Sequence, residues 1–299
     1  MLDETTDRSS APAPLPGRGN GAPAWLDAAT IARYTHYSRL PLHAMVGLDA
    51  ELALVLDAHF VGCTPEQLRD IRAQHARAVA EAAAQLLADE GFAADLDRVP
   101  AATGQRVVVL GDSITADSLG WATLLAACLD ALPGGAPASV ANLAVSAATT
   151  NETIAMFDLA VRERPTCVIT MLGTNDGRRQ GAVADVRTVS PEETRRNMLA
   201  LKALAEQEAQ ARFVALAPPP MDDARYEATA PDGAPTRFSS ADLEETLAAL
   251  AAALPDLVGP PVQVEDSFWL PDGVHPTLEG QVLLVRHVVR ALATLGPVS

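Results

Sequence analysis

The stretch that decides the fold is Arg106-Val107-Val108-Val109-Leu110-Gly111-Asp112-Ser113-Ile114-Thr115. A β-branched run without alternation ends abruptly on a glycine, an acid and a hydroxyl. An unbroken apolar run of this length reads as a strand covered on both faces. Four further runs follow, at 139–143, 166–172, 212–216 and 261–265. Helix signals separate them. Thr149 with Glu152 and Ser190 with Glu193 are spaced as capping boxes, and Ser239 with Asp242 opens a third helix carrying Leu243, Leu247, Leu250 and Leu254. A last helix carries Leu278, Val282, Val285, Val289 and Leu292. Strands alternating with helices predict an α/β fold with a five-stranded parallel sheet.

Ligands of such sheets bind beyond the carboxyl ends of the strands. After the first run comes Gly111-Asp112-Ser113, and after the second Ala144-Val145-Ser146-Ala147. The third leads into Gly173-Thr174-Asn175-Asp176, and the fifth into Leu270-Pro271-Asp272-Gly273-Val274-His275-Pro276. Ser113 at a strand-to-helix turn has an exposed hydroxyl facing helix N–H groups. A serine nucleophile needs a base, and the base needs an orienting partner. His275 and Asp272, three apart in a Pro- and Gly-punctuated loop, can supply both. The backbone N–H groups of Ser113 and Ala147 and the Asn175 amide are candidate oxyanion donors. Asp112 reads as structural, bonding nearby backbone N–H groups.

The blocks VVVLGDSIT (107–115), NLAVSAATT (142–150), LGTND (172–176) and DGVHP (272–276) resemble, in order, the four blocks of the SGNH (GDSL) hydrolases. The resemblance covers about residues 106–295. It implies a flavodoxin-like three-layer α/β/α fold and metal-independent hydrolysis of esters, thioesters or acylated sugars, with no cofactor. It implies Ser113 as nucleophile, His275 as base, Asp272 as orienter and Asn175 as the side-chain oxyanion donor. The chain departs from the family at Ala147, where the pattern has glycine. Alanine keeps the N–H, while its methyl narrows the site. The expected activity is that of a carboxylic-ester hydrolase acting on a small-molecule acyl ester. An acyltransferase with the same residues and a non-catalytic binding module are the alternatives.

Outside those blocks the readings are plainer. Arg178 and Arg179 follow the third block and are candidates to bind a substrate carboxylate or phosphate, a solvated loop being the simpler reading. The segments 177–190 and 218–238 that would shape the pocket are polar and carry no motif. Residues 1–24 are rich in Ala, Pro and Gly and read as a disordered tail. Residues 25–99 read as a helical extension, either a small domain or an extra layer, through which the chain could oligomerise; residues 100–299 form the catalytic domain. Within the extension Thr64, Pro65 and Gln67 open a helix, and Gly91 reads as its stop. Trp25, Tyr34 and Tyr37 read as packing aromatics, with a lid over the site as the alternative.

The net charge of −16 opposes nucleic acid and anionic membrane surfaces as partners. Lys202 is the sole lysine among 22 basic residues. Cys63, Cys128 and Cys167 are too scattered for a disulfide framework or a metal site and read as buried thiols. The other histidines, at 36, 43, 59, 75 and 287, read as structural or solvated. There is no secretory apolar region and no run of 18 apolar residues, so the expected location is the cytoplasm.

Overall fold

The computed structural model describes residues 25–99, 105–132, 139–230, 233–261 and 264–294, without the side chains of Leu42 and Ser139. The expected tail over 1–24 lies outside the described residues. The strands, in chain order, are β1 (Arg106–Gly111), β2 (Ser139–Asn142), β3 (Cys167–Met171), β4 (Arg179–Gln180), β5 (Val186–Arg187), β6 (Arg212–Leu216) and β7 (Thr236–Arg237). The main sheet is parallel with order β2-β1-β3-β6. Val109 sits opposite Asn142 on one side and Ile169 on the other, and Ile169 opposite Val214. Successive side chains point to opposite faces. Val107 and Val109 therefore enter one core with Ile169 and Val214, and Val108 and Leu110 enter the other with Val168 and Ala215.

Among the described residues the expected five-stranded sheet is a four-stranded one with a single bridge at its edge. That bridge is at Val258, ahead of the expected run at 261–265, of which Val262 and Gln263 lie outside the described residues: Val258 N–H donates to Ala215 O at 3.0 Å and Val258 O accepts from Ala217 N–H at 2.8 Å. Pro260 and Pro261 follow, and with no N–H to donate they cannot extend a ladder.

The helices before the sheet are α1 (Ala28–Tyr34), α2 (Pro41–Val46), α3 (Ala50–Val61), α4 (Pro65–Leu87) and α5 (Glu90–Leu96). Then come α6 (Ser113–Ala116), α7 (Trp121–Asp130), α8 (Thr150–Ala155), α9 (Phe157–Arg162) and α10 (Pro191–Ala203). The last three are α11 (Asp223–Thr229), α12 (Ser240–Ala253) and α13 (Leu278–Thr294). The capping boxes at Thr64 and Thr149 form as expected. Ser190 caps α10 by one bond only, because Glu193 is held by Arg196 instead. Gly91 does not stop α4. Asp89 ends that helix by opening α5, its carboxylate accepting from Gly91 N–H at 2.9 Å and Phe92 N–H at 3.2 Å.

Both sheet faces are covered. α4, α5, α7 and α13 pack on one face, and α9, α10 and α12 on the other. The 23-residue α4 serves two cores, since 23 residues rise about 34 Å. Its first half puts Leu68 into a small cluster with Ala32, Leu54, Ala58 and Val61. Its second half puts Val79, Ala82, Ala83 and Leu86 into the core of the sheet.

The polar segments after β3 and β6 are tied together. β5, β4 and β7 form an antiparallel three-stranded rim of two-residue strands. Cys128 and Cys167 are buried, which pushes each thiol up to about 11; Cys63, expected to be buried, is half-exposed at the end of α3. Among the described residues no helix is long and apolar enough to cross a membrane.

Candidate active site

Ser113 is the first residue of α6, directly above the end of β1. Asp112 caps that helix through Oδ1, which accepts from Ile114 N–H at 3.0 Å. Only glycine fits before it: a Cβ on Gly111 would lie 2.5 Å from Thr115 Oγ1 and 3.0 Å from Met171 O. Asn142 at the end of β2 braces the same turn, its Nδ2 donating to Thr115 O at 2.8 Å. Burial pushes the Asp112 carboxyl up to about 6.

His275 reaches Ser113 from the loop before α13. The loop is closed by Leu270 N–H donating to His275 O at 2.7 Å and by Gly273 at φ 67°. A Cβ at Gly273 would meet Asp222 O at 2.2 Å, so the turn requires glycine. His275 Nε2 lies 2.8 Å from Ser113 Oγ, and His275 Nδ1 lies 2.7 Å from Asp272 Oδ2. Asp272 Oδ1 accepts from the backbone N–H groups of Val274 and His275, each at 3.0 Å. Burial alone would lower the His275 pKa. The Asp272 hydrogen bond and charge, with the charges of Asp112 and Asp117, outweigh it and hold the pKa above the ordinary value. Burial alone would raise Asp272; His275 and the two N–H donors outweigh it and hold the carboxylate below its usual range.

A cavity of about 280 Å³ opens over Ser113, lined by Ala147, Asn175, Arg178, Thr236, Phe238 and His275 among others. Ala147 stands at φ 67°, the left-handed region that glycine adopts without strain. This explains why a glycine suits the position. Arg178 Nη1 donates to Asn175 Oδ1 at 3.3 Å, which leaves the amide N–H groups to serve another acceptor. The neighbouring Asp176 locks the block from below, accepting from Thr150 N–H at 2.9 Å, Thr150 Oγ1 at 2.7 Å and Thr194 Oγ1 at 2.7 Å.

Ser113, Asp272, His275, Ala147, Asn175 and Arg178 therefore converge. Arg179 does not join them. Its guanidinium is forked onto Asp242, with both contacts at 2.8 Å, in the rim sheet.

Four residues at the site carried no motif. Arg33 of α1 donates from Nε to Asp117 Oδ1 at 3.0 Å, and its Nη2 reaches both Asp117 Oδ2 and the carbonyl of Pro276, the latter at 2.9 Å. Gln281 Nε2 adds a donor to Asp117 Oδ2 at 3.1 Å. Tyr34 lays its ring against His275, with centroids 4.7 Å apart, and its carbonyl accepts from Ser146 Oγ at 2.8 Å. The hints are that Arg33 is the only charge in α1 and that Tyr34 is among the aromatics for which a lid over the site is the alternative reading.

The sequence profile of the GDSL-like lipase/acylhydrolase family matches residues 109–283, more than half of the chain. No curated protein matches it. Among solved structures the chain is similar to LAE5, an alpha/beta hydrolase enzyme from the metagenome of Lake Arreo, Spain. That pair shares 20% identity over 64% of this chain and 97% of LAE5, with a TM-score of 0.50. It is also similar to a catalytic mutant of Axe2, an acetylxylan esterase from Geobacillus stearothermophilus, at 16% identity over 63% of this chain and 94% of Axe2, with a TM-score of 0.48.

Proposed function

The chain belongs to the GDSL-like lipase/acylhydrolase family, and from that premise we propose that it hydrolyses carboxylic esters through an acyl-enzyme on Ser113. One observation carries the reading: the unbroken line from Asp272 through His275 to Ser113, with contacts of 2.7 and 2.8 Å. His275 Nε2 takes the Ser113 proton as Oγ attacks the ester carbonyl. The carbonyl oxygen gains charge, and the N–H groups of Ser113 and Ala147 with the Asn175 amide receive it. The protonated His275, stabilised by Asp272, then gives its proton to the departing alcohol. Water repeats the sequence on the acyl-enzyme and releases the acid. Thioesters and O-acyl groups fit the same steps.

The test is Ser113→Ala against a short p-nitrophenyl ester. The expected outcome is a fall in kcat of about 10³-fold or more, with the melting temperature unchanged. A fluorophosphonate should label the wild type at Ser113 and leave the variant unlabelled. A variant keeping more than about a tenth of the activity would reject Ser113 as nucleophile.

A further inference from the structure

Three residues border two cavities at once. Tyr34, Ser146 and Ala147 line the hollow over Ser113 and also line a neighbouring cavity of about 410 Å³. The remaining apolar wall of that neighbour comes from Ile31 of α1, Phe60 of α3, and Leu26, Tyr37 and Leu40 of the segments flanking α1, and from Ala144 and Val145 below. Most of its polar side chains are already engaged, the buried Tyr34 hydroxyl being without a partner among the described residues. Thr35 Oγ1 donates to Ile31 O at 2.9 Å, His36 Nε2 lies 3.1 Å from Arg33 O, and Arg39 reaches Ala116 O at 3.2 Å. His36, lowered to about 3 by burial and by Arg39 and Arg72, is neutral. The wall thus offers mainly apolar surface, its one cation being Arg39, which is tied to Ala116 O through Nη1. Its volume falls within the roughly 300–1,000 Å³ of small-molecule pockets.

We propose that this cavity is the acyl subsite, and that the substrates are esters of medium-length aliphatic acids. The proposal rests on the ester-hydrolase reading above. The direction follows from the chemistry. The departing alcohol must face His275, which hands it a proton. His275 lines the cavity over Ser113 together with Arg178, Thr236 and Phe238, and does not line the apolar one. The apolar cavity meets the site at Tyr34, whose ring lies between it and His275, and at Ser146 and Ala147, the last being the backbone that receives the carbonyl oxygen. The substituent carried on that carbonyl therefore enters it. Residues 26–60 all precede residue 109, where the family match begins, so this chain supplies the subsite from its own extension.

Two ester series test the assignment, both on the full-length protein. One lengthens the acid, from p-nitrophenyl acetate through butyrate and hexanoate to octanoate. The other lengthens the alcohol, from ethyl to octyl acetate. For the first, kcat/KM should rise roughly threefold per added methylene as far as hexanoate, because each buried methylene contributes a similar transfer free energy. The second should stay flat. Ile31→Trp and Leu40→Trp fill the cavity from two sides. Each should cut the hexanoate-to-acetate ratio of kcat/KM at least about tenfold. A flat acid series with acetate still turned over, or a rising alcohol series, overturns the subsite and leaves the hydrolase reading standing. If no ester is turned over and a fluorophosphonate leaves Ser113 unlabelled, the hydrolase reading falls and the subsite with it. Should both tryptophan variants unfold, the wild-type series decides alone.

Discussion

His275 can accept the Ser113 proton only while its Nε2 is unprotonated. Burial disfavours the imidazolium, but Asp272, Asp112 and Asp117 favour it more strongly, so its pKa stands above the ordinary value of about 6.5. The sign follows directly. Activity is lost as pH falls through that raised pKa, and kcat/KM measured from pH 5 to 9 should show an acid limb with its midpoint above about 6.5. Replacing Asp112 with Asn removes one of the charges that raise it and should move the limb to lower pH; an unmoved limb would show that Asp112 does not act on His275. Ala147 makes the second residue-scale prediction. Held at φ 67°, it carries left-handed strain of about 1 kcal/mol that glycine lacks. Ala147→Gly should raise the unfolding free energy in urea by up to about that amount and keep kcat within about threefold, since the N–H is retained. A large fall in kcat would mean that the methyl itself holds the substrate.

Among the elements, α1 has a role out of proportion to its seven residues. A helix of that length has no stability alone. It is held by Arg33, whose side chain is 7% exposed against a fully buried Asp117. The same guanidinium grips the carbonyl of Pro276, the residue after His275. Removing one partner of a buried ion pair strands the other and costs about 3–5 kcal/mol. Arg33→Met should therefore lower stability by about that much and lower kcat as well, because the His275 loop loses a tie. Denaturant melts and kcat on the same preparation check this, and an unchanged kcat would show that α1 does not position the loop. The pair joins residues 84 apart with no local pattern around either, so no reading of short segments could find it. The rim sheet escaped for a related reason: two-residue strands carry no periodicity. The four catalytic blocks were legible because each lies within a few residues of its own strand end or turn, where composition and geometry are tied. The fifth run was placed too late because its apolar residues were weighed without the cost of Pro260 and Pro261, and the bridge to β6 falls before them at Val258.

At the scale of the whole molecule, residues 79–99 complete the main core. Val79, Leu86, Phe92 and Leu96 lie in one cluster with Trp121, Ile169 and Val289. A fragment starting near residue 100 would expose the apolar faces of α7 and α13 to water. It should aggregate and show no ester turnover, as light scattering and a rate assay would report. A soluble, fully active fragment would show that the helices before the sheet are dispensable to it.

The same packing sets an order of events. Asp89 at the head of α5 pairs with Arg286 of α13, 197 residues later, and Arg33 waits 243 residues for Pro276. On a ribosome the helices before the sheet emerge ahead of the surfaces that cover them. Contacts of such long separation close slowly, because the intervening loop must be ordered first. Until α13 is released the early helices keep an uncovered apolar face, which is the kind of surface a holding chaperone binds. Ser113 is translated 162 residues before His275, so on the proposed mechanism a nascent chain carries the nucleophile without its base until the loop before α13 has been made.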